Sequence, residues 1–181
     1  SNDDVMSYLE RAHGVVPERE LVLYGPSVGS APSLWLGARR RVAGIVLHTP
    51  LLSGLRVLIP PLPDATCSVQ ACCSPHCVYG ACDPFPNRKR IRKVTCPVLL
   101  IHGTNDETID MAHTSELFER CPVEHRRSPY VVAGAGHDNI VEADPATYFK
   151  TVADFLGSIS VDMSALASAM GTEKPAQLAA T

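Results

Sequence analysis

The sequence has no run of about 18 or more apolar residues, so it predicts no membrane-crossing helix. No secretory signal opens it, and that points to a reducing, cytoplasmic setting or the cytoplasmic face of a membrane. A basic excess is missing as well: 16 Lys and Arg face 19 Asp and Glu, for a formal net charge of -3. That argues against a nucleic-acid partner, which ordinarily meets a basic surface. The single basic run, "NRKRIRK" (Asn87 to Lys93), reads as a solvated loop or helix start, with an acidic membrane surface as the alternative. Of the 7 cysteines, five fall between Cys67 and Cys82, yet they lack two clean C-x2-C pairs separated by a loop. No metal site is therefore expected; zinc at Cys72, Cys73, His76 and Cys77 and S-acylation of Cys72 or Cys73 are minor alternatives. Cys96 and Cys121 read as buried or free thiols. The first residue is Ser rather than Met, so an upstream portion is expected before it.

What is present is enough apolar material, 45% of 181 residues, for one domain with a core. Val5, Tyr8 and Leu9 recur at helical spacing and Gly14 supplies a stop. "ELVLYG", "VAGIVLH", "PVLLIHG" and "YVVA" are short apolar runs suited to buried strands. Helical patterns run from Val28 to about Arg39, over "TIDMAHTSELFERC" with Asp110 at the start, and over "DPATYFKTVADFLGSI" with Pro145 in the first turn. Strands alternating with helices predict an α/β fold, a parallel sheet of about four strands flanked by helices. Residues 57–86 break the pattern with Pro and Cys and are expected as a loop insertion. Residues 158–181 form an Ala/Ser-rich tail expected to be largely disordered.

"GPSVG" fits G-x-S-x-G, with a strand pattern running in and a helix pattern running out. That is the setting of a nucleophile elbow, in which a serine sits on a sharp turn above the sheet. Ser27 is the candidate nucleophile, and the Val28 backbone N–H, at the start of the following helix, is the candidate oxyanion donor. A serine hydroxyl needs a base, and the base needs an orienting acid. Asp106 follows the third strand and His137 the fourth, in the order Ser, Asp, His that α/β-hydrolases use. Asp110 competes for the acid role but reads as a helix cap. His48 and His102 end strands and read as core histidines that could line a pocket. His13, His113 and His125 receive no role, and Asp138 is too close in sequence to His137 to orient it.

"LVLYGPSVG", "GIVLHTPLLSGLRV", "DPFPN", "KVTCPVLLIHGTNDETID" and "GAGHDNI" together resemble the α/β-hydrolase domain-containing protein 17 family. The resemblance runs from about Val5 to Leu156, apart from the Pro/Cys-rich segment. It implies the C-terminal part of an α/β-hydrolase fold, with 1–157 a partial domain of that kind. It implies a serine hydrolase that removes palmitate from protein thioesters, with Ser27, Asp106 and His137 as catalytic residues. The implied substrate is an S-acylated protein or acyl ester, with peripheral membrane contact in the full-length protein and no cofactor. The sequence departs from the family pattern at Pro26, where a polar residue is usual. It has no HG-type oxyanion stretch before residue 20, and the family's early cysteine cluster is not in it. Strands expected beside "LVLYG" are thereby missing, which would leave that strand as an edge. A peptidase or small-ester hydrolase of the same fold would use the same three residues, and a catalytically silent binding module is the reading from another class.

Overall fold

In the computed structural model, which describes residues 2–58 and 83–169, the four apolar runs are strands of one sheet. They are β1 (Val22–Pro26), β2 (Gly44–His48), β3 (Val98–Gly103) and β4 (Tyr130–Val132), all parallel and in the spatial order β1-β2-β3-β4. β3 is buried along its whole length and β2 along all but His48, as near-continuous apolar runs require. The Cys67–Cys82 segment, with its candidate zinc and acylation residues, and the terminal stretch from Gly171 to Thr181 lie outside the described residues.

Alternation along the strands divides the core into two faces. Ile45, Leu47, Val98 and Leu100 point to one face, where they meet Leu34, Ile91 and Leu117. Those three come from the crossovers: α3 (Ser30–Gly37), the 3-10 turn Ile91–Lys93 that follows α5 (Asn87–Arg90), and α6 (Met111–Arg120). A strand order that advances one step at a time sends right-handed crossovers over the same face, which is where they lie. Val46, Leu99 and Ile101 point the other way, against Tyr148, Phe155 and Ile159 of α8 (Pro145–Ala169) and Ile140 of α7 (Ile140–Ala143). Helix α8 begins at Pro145 and continues through Ala169, into the stretch expected as an Ala/Ser-rich tail.

Helix α1 (Asn2–His13) precedes the short α2 (Pro17–Glu20) and ends before Gly14, whose φ of +66° suits a residue without Cβ. The sheet pairs β1 only with β2, so β1 is an edge strand among the described residues. Beside it runs an open apolar groove lined by Met6 and Leu9 of α1, Leu21, Leu23, Pro32 and Leu36. Cys96 and Cys121 are buried free thiols, and burial pushes them up to about 12 and about 11, which keeps them protonated and unreactive.

The segment between β2 and α4 (Gly54–Leu58) is tied to α6 by a side chain. His113, buried in α6, accepts the Leu52 N–H at Nδ1 (3.0 Å). Burial, reinforced by the Arg56 guanidinium, pushes His113 down to about 4 from an ordinary 6.5. Between pH 6.5 and 4 the unfolded chain therefore takes up a proton that the folded chain refuses. Stability should fall with pH across that window by about 1.4 kcal/mol per unit from this residue alone. His48 and His102, also lowered mainly by burial, add to the same slope. Urea midpoints measured from pH 7 to 4 should drop steadily, and His113→Asn, which keeps an acceptor but no titrating ring, should flatten the slope.

Candidate active site

The end of β1 and the start of α3 are folded back on each other by a turn at Ser27–Gly29. Ser27 carries φ of +48°, in the left-handed region, a conformation that costs a non-glycine residue on the order of 1–3 kcal/mol. The neighbouring glycines make it geometrically possible. A Cβ on Gly25 would sit 2.6 Å from Ser33 Oγ and 2.7 Å from the Gly29 carbonyl oxygen, so α3 can double back over β1 only if position 25 has no side chain. A Cβ on Gly29 would meet the Pro26 ring at 3.1 Å, a close approach that the proline before Ser27 imposes.

Because the strands are parallel and in register, Pro26 lies opposite His48, and His48 opposite Ile101. Their C-terminal ends therefore open on one edge of the sheet. The loops after β3 and β4 are laced together at that edge. Thr104 N–H donates to the Val132 carbonyl (3.0 Å), Asn105 N–H to the Ala135 carbonyl (2.9 Å), and Gly134 N–H to Thr104 Oγ1 (2.8 Å). A Cβ on Gly103 would fall 2.3 Å from the Ala135 oxygen, so the two loops touch backbone to backbone.

This lacing brings together three side chains that are far apart in sequence. Ser27 Oγ lies 3.0 Å from His137 Nε2, and His137 Nδ1 lies 2.8 Å from Asp106 Oδ2. With the ring neutral, Nδ1–H donates to the carboxylate and Nε2 accepts the serine hydroxyl. Asp106 is itself fixed. Its Oδ1 accepts the backbone N–H groups of Thr108 (2.9 Å) and Ile109 (2.8 Å), a local turn that aims Oδ2 at the histidine. Val28 is the second residue of the turn that Ser27 opens.

His102, read from sequence as a core histidine, is fully buried and stands behind the carboxylate. Its Nε2–H donates to the Ile109 carbonyl (2.7 Å), which makes Nδ1 the acceptor of the Thr114 hydroxyl (2.6 Å). The same Nε2 is 3.2 Å from Asp106 Oδ2. Burial lowers its basicity, so His102 is a neutral wall to the carboxylate rather than a competing base. Asp110 caps α6, accepting the Ala112 N–H at 2.7 Å, as its place before the helix implies.

A second cluster on the same edge has almost no signature in the letters. Tyr24 Oη hydrogen-bonds His48 Nδ1 (2.8 Å) and Tyr148 Oη (2.7 Å), joining β1, β2 and α8. Burial, and then the neighbouring His137 and His102, lower the basicity of His48. With Nδ1 of a neutral His48 as the acceptor, the Tyr24 hydroxyl donates to it and accepts from Tyr148. Only the strand-end position of His48 hinted at this, because Tyr148 is one hundred positions away. Among the described residues no group of three or more His, Cys, Asp or Glu could hold a metal ion.

Four parallel strands with helices on both faces, and these loops at one end, define an α/β-hydrolase fold. Solved structures agree. The chain superimposes on a monoacylglycerol lipase from Paleococcus ferrophilus with a TM-score of 0.59 at 18% identity, covering 88% of this chain and 74% of that one. It superimposes on the esterase RhEst1 from Rhodococcus sp. ECU1013 with a TM-score of 0.58 at 21% identity, covering 87% and 71%. No family model matches the sequence. By sequence the chain is a relative of the α/β hydrolase domain-containing protein 17 group. It is 42% identical over 134 residues to human α/β hydrolase domain-containing protein 17B, covering 73% of this chain and 40% of that protein. It is 40% identical over 125 residues to α/β hydrolase domain-containing protein aho-3 of Caenorhabditis elegans, covering 69% and 33%. The chain thus spans about two fifths of the length of these curated relatives or less.

The contact between Gly103 and Ala135 makes a specific demand. Gly103→Ala should force the β3 and β4 loops apart, lowering stability by about 1–3 kcal/mol in chemical denaturation. Gly157→Ala, where a Cβ meets nothing within 4 Å, should leave stability unchanged or raise it slightly.

Proposed function

We propose that the chain carries a serine hydrolase centre that cleaves acyl thioesters or esters, the substrate being an S-acylated protein presented at the cytoplasmic face of a membrane. The observation that carries this reading is the unbroken chain of hydrogen bonds from Ser27 Oγ through His137 to Asp106. His137 Nε2 takes the serine proton as Oγ attacks the acyl carbonyl. The negative charge that develops on the carbonyl oxygen is met by the Val28 N–H, in the turn that leads into α3, a donor of a kind worth about 2.7–4 kcal/mol to such a transition state. His137 then hands its proton to the departing thiol or alcohol, and water, activated by the same imidazole, releases the acid. Asp106 keeps Nδ1 protonated and so keeps Nε2 free to accept. The centre as proposed uses neither a metal nor an organic cofactor. The thioester preference and the membrane setting rest on kinship with the 17 family, whereas lipase and esterase neighbours support acyl transfer in general.

Ser27→Ala should abolish labelling by a fluorophosphonate probe and lower turnover of an acyl ester by at least about 10³-fold. Asp106→Asn should leave the fold intact and lower kcat by about 10⁴-fold, since the amide reverses the tautomer of His137. Rates on matched thioester, ester and peptide substrates should rank the thioester first; a peptide in first place would make the protein a peptidase. Equal labelling of wild type and Ser27→Ala would remove Ser27 from the chemistry. No labelling of folded wild type would favour a silent binding module.

A further inference from the structure

Two stretches of sequence, "TPLL" after β2 and "DPFPN" before α5, supply none of the reacting groups, yet they converge beneath the Ser27 turn. Two adjacent strands end in the same unusual way. Pro26 and His48 are paired across the sheet, and the next residue on each strand, Ser27 and Thr49, has positive φ, +48° and +46°. Thr49 is branched at Cβ and fully interior, and its N–H donates to the Ile101 carbonyl (2.8 Å) on the third strand. A branched residue in this region is a genuine outlier, held there by its surroundings. The twin kinks carry the segment after β2 alongside the first turn of α3.

There, one buried hydroxyl joins the two kinks. Ser30 Oγ donates its proton to the Ser27 carbonyl (2.6 Å) and accepts the Leu51 N–H (3.2 Å). Asn87 Nδ2 donates to the Leu51 carbonyl (2.8 Å) and makes a longer contact of 3.5 Å to Ser30 Oγ. Asn87 Oδ1 accepts from Arg90 Nη1 (3.3 Å). Both Ser30 and Asn87 are wholly inaccessible to solvent. The serine's one donor and two acceptor positions, and both amide hydrogens of Asn87, are in use, so every direction in the network is fixed. The rest of "DPFPN" and the residue after it anchor it: Asp83 Oδ1 accepts the Gly54 N–H (3.0 Å) and the Phe85 N–H (2.9 Å), and Arg88 N–H donates to the Leu52 carbonyl (3.0 Å).

We infer that Ser30 and Asn87 are positioning residues, which hold the left-handed turn at Ser27, and so its Oγ, in line with His137 by clamping the Ser27 carbonyl to the segment after β2. Neither touches a substrate atom. The role rests on the proposed serine chemistry for its consequence, but the geometry it maintains can be read independently.

Two measurements on the purified protein test it. The first is kcat per active site, with sites counted by fluorophosphonate titration so that loss of folded protein does not register. Ser30→Ala and Asn87→Ala should each lower it about 10- to 100-fold with KM unchanged, the scale expected when a reacting group is displaced by about an ångström. Ser30→Thr, which keeps the hydroxyl, should recover most of the loss. The nearly isosteric Asn87→Asp keeps an acceptor for Arg90 but cannot donate to Leu51; it carries the test if Asn87→Ala does not fold. The second is the pair of Cα and Cβ chemical shifts of Ser27, which report its φ and need no activity. They should move toward right-handed helical values in Ser30→Ala and stay in place in Ser30→Thr. Unchanged kcat per site overturns the inference, and so does a fall in kcat with the Ser27 shifts unmoved. If wild-type Ser27 takes no label, the hydrolase reading falls, and the Ser27 shifts alone decide whether the clamp exists.

Discussion

Ser27 sits where an L-residue resists sitting, and the site is built around keeping it there. A strand and a helix on a common axis would bury the hydroxyl in the sheet. The left-handed turn breaks that line and lifts Oγ above the sheet edge. Its cost is met by glycine at positions 25 and 29, which lets backbone approach backbone, and by the packing of α3 against β1. Remove either condition and the serine relaxes into an ordinary loop, with no path for its proton to His137.

The second requirement is that three loops end at one place. A parallel sheet supplies it because every strand in the order β1 to β4 finishes on the same side. Register then sets the spacing: Pro26, His48 and Ile101 stand in a row, and Gly103 pairs with Val132 two residues further on. The two buried faces differ in their work. The face covered by α3, α5 and α6 is continuous core and supports the Ser27 turn from below. The face covered by α7 and α8 is core as well, but its upper end turns polar, at Tyr24, His48 and Tyr148 beside the site. A neutral His48 there leaves His137 without a charged imidazole as neighbour. The same choice recurs at His102, whose neutral ring packs against a carboxylate whose Oδ1 already accepts two backbone N–H groups.

Much of this could be read in the letters, because it rests on local patterns. Four apolar runs bounded by glycine or proline gave the strands, and alternation with helical periods gave the parallel order. Ser27 was legible because G-x-S-x-G lay between a strand and a helix, and Asp106 and His137 because each follows a strand end. The cap role of Asp110 followed from its place before Met111. What escaped reading depends on contacts between distant segments. Nothing local marks Tyr148 as a partner of His48, or His113 as the acceptor for Leu52, since a helical histidine looks the same whether it faces water or a loop. Nothing local distinguishes Ser30 from any small residue at a helix start. Asn87 looked like the first letter of a solvated basic run; Lys89, Arg92 and Lys93 do face outward, but Ile91 enters the core and Asn87 turns inward to a carbonyl thirty-six positions earlier.

A crystal structure of the protein after reaction with a small phosphonate ester tests the central geometry most directly. The account predicts phosphorus bonded to Ser27 Oγ, its free oxygen on the Val28 N–H, and His137 still bridging the adduct and Asp106. Phosphorus on another side chain, or on a Ser27 that has left the left-handed region with its oxygen pointing away from Val28, would contradict it.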